Sequence, residues 1–100
     1  MNTVLTIDLI VKNPDIRGGR PIIDGTTITV EDVAIAMIYH QQDADGIAEW
    51  YNLSLAQVHA ALAYYYQHQA EIDENLKRRR ELIEDYKEKR IGSRHKPLFG

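Results

Sequence analysis

The chain contains no cysteine. Disulfide bonds and thiolate chemistry are thereby excluded, which suits a reducing compartment. Long apolar runs are also missing. The opening "MNTVLTIDLIVKNPD" has no basic flank before its apolar stretch, and that stretch falls far short of the ~20 residues needed to cross a bilayer. The expectation is a soluble, cytoplasmic protein without membrane association. Catalytic groupings are equally scarce. Ser54 and Ser93 fall at a helix cap and in a tail. His40, His59, His68 and His95 lack metal-ligand spacing, since His59 and His68 lie about 180° apart around a helix. "RGGRP" has neither the strand–glycine–helix order nor the lysine of a phosphate loop. Glu71 and Asp73 open a helix, where the dipole accounts for them. The reading is therefore non-enzymatic, with no metal and no cofactor.

Charge is present in both signs but unevenly placed. Residues 77–96 hold nine Lys and Arg against four acids, a net of +5, and the remainder holds three against eleven, a net of −8. A basic end on an acidic body suits a polyanion or an acidic protein surface, although ordinary charge pairing on a solvated helix is equally compatible with it.

Residues 4–11, "VLTIDLIV", alternate with a period of two, placing Leu5, Ile7, Leu9 and Val11 on one side and Thr6 and Asp8 on the other. This predicts a strand, ended by Pro14. Asp24-Gly25 between Ile22-Ile23 and Ile28–Val30 predicts a tight two-residue hairpin, or two extended arms without full pairing because Pro21 weakens one edge. From Glu31 the period becomes helical for about a dozen residues, with Glu31 and Asp32 in the first turn. "DAD" interrupts, and Asp45 is the expected cap of a short helix "GIAEWYN".

Asn52 tolerates the left-handed conformation that stops this helix. Ser54, followed three residues later by Gln57, forms a capping box for the next. Ile47, Ala48, Tyr51, Leu53, Val58 and Ala61 or Leu62 then supply the spaced apolar anchors of a helix-turn-helix. Its reading face carries Ser54, Gln57 and His59 but no Arg or Lys. DNA contact would need charge from Arg17 and Arg20 or from the basic segment.

The last helix carries Ile72, Leu76, Ile83 and Tyr86 within about 60° of one face. That stripe, flanked by Arg78, Arg79, Arg80, Lys87 and Arg90, is the candidate partner-binding surface; a helix packing on its own domain or on a second copy fits it as well. A polar tail is expected after Gly92. Tyr64, Tyr65 and Tyr66 spread over about 200° of helix, so at least one of them is expected to be exposed or in an interface, together with Trp50. A homodimer or higher homo-oligomer is the expectation.

The run "NPDIRGGRPIIDGTTITVEDV", then "GIAEWYNLSLAQVHAALAYYYQHQAEID", resembles the bacterial domain-of-unknown-function 433 family. The resemblance rests on Gly18, Gly19, Pro21, Gly25, Thr26, Ile28, Val30, Ile47, Ala48, Tyr51, Leu53, Val58, Ala61, Leu62, Tyr64, Tyr65, Glu71, Ile72 and Asp73. The family's usual "GTRI" is Gly25-Thr26-Thr27-Ile28 here, so a basic residue is missing. The resemblance implies a mainly α fold: a small N-terminal β-strand or hairpin element and a homeodomain-like helix-turn-helix bundle over residues 1–74, then a long charged helix and tail over 75–100. It also implies a VapB-like antitoxin that blocks a PIN-like nuclease toxin, with binding of its own promoter DNA as a further expectation. The alternatives are a transcriptional repressor without a toxin partner and a homodimeric scaffold.

Overall fold

The computed structural model describes residues 1–5 and 7–99, with side chains up to Glu88. Thr6 and the side chains of Lys89, Arg90 and the expected tail lie outside the described residues. Among the described residues two strands and four α-helices follow one another, with a short 3-10 turn at Arg17–Gly19 between the strands: β1 (Ile10–Val11), β2 (Ile22–Ile23), α1 (Val30–Ile38), α2 (Ala44–Tyr51), α3 (Leu55–Gln67) and α4 (Gln69–Phe99). The chain divides into two compact units, Met1–Gln69 and Ala70–Gly100.

The strand expected over residues 4–11 is reduced to β1, which pairs antiparallel with β2 in the register Ile10 to Ile23 and Val11 to Ile22. Alternation alone does not make a strand; a backbone partner is required, and β2 is only two residues long. The expected tight hairpin is also revised. The Ile23 amide donates to the Ile28 carbonyl at 2.9 Å, and a single bridge joins Ile22 to Thr29. Four residues therefore connect the arms. Within them Gly25 takes φ +79° and the Thr26 amide donates to the Ile23 carbonyl at 3.0 Å. One left-handed position, filled by glycine at the third residue, is what a type II turn requires; the type I′ turn usual for Asp-Gly would need two.

Each α-helix of the first unit is opened by a side chain. Thr29 accepts from the Asp32 amide while Asp32 accepts from the Thr29 amide, a capping box that starts α1 at Val30. α1 stops at Ile38, short of a dozen residues, and Gln41 beyond it is left-handed at φ 53°. For α2 the cap is Asp43, which accepts from the Gly46 amide at 2.8 Å; Asp45, the residue expected in that role, sits in the first turn. Both aspartates satisfy the local chemistry, and an earlier helix start decides between them. Asn52 closes α2 in the left-handed region, φ 56° and ψ 50°, as expected. Ser54 and Gln57 form the predicted capping box of α3.

The core of this unit is small and aliphatic. Ile22 and Ile23 from β2, Val30, Val33, Ala34 and Ala36 from α1, Ile47 from α2, and Val58, Ala61 and Tyr65 from α3 are all buried. α3 is the central element, in contact with α1, α2 and both strands. Tyr65 takes the core position while Tyr66 stays exposed, as the angular spread of the three tyrosines requires.

Helical geometry is lost at His68, where φ is −122° and ψ 29°. The second unit is α4, which continues past Gly92, where a stop was expected. One glycine inside a helix costs only about 1 kcal/mol and does not force an end. Ile72 and Leu76 are buried, and every residue from Arg80 to Glu88 is exposed.

Candidate functional site

Three groups of residues bear on function: the α2–turn–α3 unit, the charged turn at residues 17–32, and the exposed part of α4. In the first, the turn is rigidly specified. The left-handed Asn52 directs its amide to the Ala48 and Glu49 carbonyls, and the Leu53 amide donates to the Ala48 carbonyl at 2.8 Å. Ile47 and Val58 anchor the two helices in the core, with Ala48 half-buried beside them. Of the candidate reading residues, Ser54 and His59 are exposed at the start of α3. Gln57 is partly buried, and its Oε1 accepts from the Ser54 amide at 2.8 Å, so its acceptor is already in use.

Arg17 and Arg20, the candidate phosphate contacts, occupy the second group. Arg17, Gly18 and Gly19 are three consecutive left-handed residues, with φ of 50°, 68° and 77°. Two glycines accept this freely; arginine does not, and its cost is offset by bonding. Arg17 Nη1 donates to the Thr27 carbonyl at 2.9 Å and to Asp32 Oδ2 at 3.0 Å. Its own carbonyl accepts from Arg20 Nε at 2.9 Å. Arg20 Nη1 in turn reaches Glu31 Oε1 at 3.4 Å, and the Glu31 side chain is only 7% exposed. Both cations therefore serve the first turn of α1 and keep about a third of their side-chain surface in water.

Electrostatics follow from that arrangement. Burial raises the Asp32 pKa, but hydrogen bonds from the Thr29 backbone and from Arg17, together with the Arg17 charge, outweigh it and hold the carboxyl below its ordinary 3.8. The Tyr51 phenol is pushed up, first by burial and then by the negative charge of Asp32, with Arg17 opposing. The sequence signal for this cluster was present in two acids opening α1 and two arginines upstream. Nothing local says that they meet across 11 and 15 residues.

In the third group the candidate stripe divides. Ile72 and Leu76 are each 5% exposed, whereas Ile83 is 54% and Tyr86 63% exposed. Leu82, not part of the predicted stripe, is exposed beside them. Lys77, Arg78, Arg80 and Lys87 are exposed and Arg79 is partly buried, with Arg78 donating to Asn75 Oδ1 at 2.7 Å. The Arg90 side chain lies outside the described residues.

An exposed aromatic patch completes the first unit. Trp50 packs on His40 with ring centroids 5.4 Å apart and stacks on Tyr51 at 6.0 Å, and Ile38 and Tyr39 at the end of α1 are exposed as well. Among the described residues no three His, Asp or Glu side chains gather as a metal site, and no helix is long and apolar enough to cross a membrane.

A small antiparallel strand pair followed by capped helices, with the glycine turn pinned to α1, defines a mainly helical protein with a two-strand N-terminal element. The sequence profile of "Protein of unknown function (DUF433)" matches residues 10–65, more than half of the chain. The protein belongs to the DUF433 family. No curated protein and no solved structure matches it.

Proposed function

We propose that this protein is the antitoxin of a bacterial toxin–antitoxin pair, which binds and neutralises a PIN-like nuclease toxin from the cytoplasm. One observation carries the reading: α4 holds Leu82, Ile83 and Tyr86 in water beside Arg78, Lys87 and further basic residues. Exposed anchors at helical spacing with cations alongside suit a helix laid into a groove. A nuclease groove lined by metal-binding carboxylates supplies the complementary charge, and a cationic helix seated there would block its nucleic-acid substrate. Expression of the chain with the product of its adjacent reading frame tests this. The complex should co-purify, and removal of residues 77–100 should abolish it; an intact complex after truncation sinks the docking mechanism.

A second reading, promoter binding by α2–turn–α3, is favoured by the left-handed Asn52 turn and the exposed Ser54 and His59 at the start of α3. Against it stands the engagement of Arg17, Arg20 and Gln57 inside the fold. Titration of promoter and scrambled DNA at two salt concentrations separates the cases. Specific repression requires preference for the promoter and a steep loss of affinity with salt.

A further inference from the structure

α3 differs from α1, α2 and α4 in what it lacks. From Trp50 to Ala70 the chain carries no Asp, Glu, Lys or Arg, although these make up 27% of the whole. The helix turns Val58, Ala61 and Tyr65 into the core. Its opposite face presents Ala56, Ala60, Ala63 and Gln67, and all but the half-buried Ala60 are exposed. The N-terminal segment extends that face. Residues 8 and 9 form a turn, and ahead of it Val4, Leu5 and Ile7 are each more than three-quarters exposed. An open groove of about 430 Å³ is lined jointly by Leu5, Ile7 and Ile10 and by Ala60, Ala63 and Tyr64 of α3. Among the described residues no charged side chain lines it.

Charge decides what can cover this face. The first unit holds eight Asp and Glu against three Lys and Arg, a net of −5, and all eleven precede Trp50. A nucleic acid or a charged protein surface finds no counter-charge on the outer face of α3. A second copy carries the same −5 and is repelled along any acidic surface. A two-fold contact, however, sets a patch against itself, and an uncharged patch then meets no like charge. The aromatic patch is a poorer place for this. Trp50 follows directly on Asp43, Asp45 and Glu49 in the chain, so two copies meeting there would oppose carboxylates.

We infer that two copies of this chain associate through this face, with their α3 helices antiparallel about a two-fold axis that passes between Ala60 and Ala63. Alanine at the crossing lets the helix axes approach to about 8 Å, the short end of the usual range. Leu5 and Ile7 line the same groove as Ala60 and Ala63, so the contact that covers the alanines covers them too. Parallel alignment is poorer, because it points the two α3 dipoles the same way and starts both α4 helices at one end of the contact. Antiparallel alignment opposes the dipoles and separates those starts. α3 is about 20 Å long and roughly 10 Å across. With Val4, Leu5 and Ile7 added, two copies bury roughly 1,000 Å² in total, near the lower limit of a specific interface, so the dimer is a weak one.

Sedimentation equilibrium of the full-length chain at micromolar concentrations tests the contact, with circular dichroism confirming that each variant is folded. The wild type should dimerise. Ala63 is exposed, so a charge there spares the fold but stands close to its copy across the axis. Ala63→Glu and Ala63→Lys should each raise the dimer dissociation constant about tenfold or more. Mixing those two variants should give a heterodimer about two- to fivefold tighter than either alone. Leu5→Ser, in the exposed N-terminal segment, should weaken association about tenfold. Trp50→Ser, on the aromatic patch, should leave it unchanged. A wild-type chain that stays monomeric, a dimer indifferent to Ala63→Glu or to Leu5→Ser, no gain on mixing, or a dimer broken by Trp50→Ser would each overturn the proposal.

Discussion

The two compact units of this protein use the same helical backbone to opposite ends. In residues 1–69 the three helices each begin with a side-chain cap and bury aliphatic residues against one another. In α4, from Arg80 to Glu88, no residue is buried, and three large apolar side chains stand in water. The first unit builds a core of its own. The second does not, and most helical stability in proteins comes from packing an apolar face. The matched family region, residues 10–65, falls within the first unit. The proposed partner contact on α4 lies beyond it.

The sharpest way to break this contrast is to delete one anchor from each unit. Ile47→Ala empties a fully buried site and should lower the stability of the fold by about 2–5 kcal/mol in chemical denaturation. Ile83→Ala removes an exposed side chain and should stay within about 0.5 kcal/mol. Comparable losses from the two would erase the distinction. Next in size is Arg20→Ala, which strips a partner from the buried Glu31. It should cost about 1–3 kcal/mol. Glu31 has further contacts and Arg20 is partly in water, so the lower half of that range is expected. Smaller again is Ser54→Ala at the α3 cap, expected to cost about 1 kcal/mol, while Asn52→Gly should be close to neutral because glycine accepts the left-handed turn.

Acid sharpens the comparison without mutation. Asp32 has a folded pKa below its ordinary 3.8, so near that pH the unfolded chain binds more protons than the folded one. Its contribution is present above 3.8 and is lost as pH falls through the folded value. Asp32→Asn should flatten that part of the stability–pH curve in a denaturant series. An unchanged acid limb would remove Asp32 from the account.

What could be read from the residues alone was the locally determined part. The Ser54–Gln57 box and the left-handed Asn52 depend on chemistry within four residues, and both stand as expected. The buried positions Ile47, Val58 and Ala61 follow from helical period. Features that need a distant partner were not legible. β1 is short because β2 offers only two residues, and Arg17 finds Asp32 across 15 positions. The choice of Asp43 over Asp45 turned on where a helix starts, a matter of one or two residues that two equivalent side chains cannot announce. For the candidate site, the stripe on α4 was visible as a period, but its division between buried Ile72 and Leu76 and exposed Ile83 and Tyr86 was not.

Hydrogen exchange on the full-length chain, alone and with the adjacent gene's product, addresses the division most directly. Alone, amides in α1 and α3 should be protected and those of residues 80–88 should exchange rapidly; with the partner, residues 80–88 should become protected while α1 and α3 change little. Strong protection of residues 80–88 in the isolated chain, or partner-induced protection confined to α1–α3, would contradict the account.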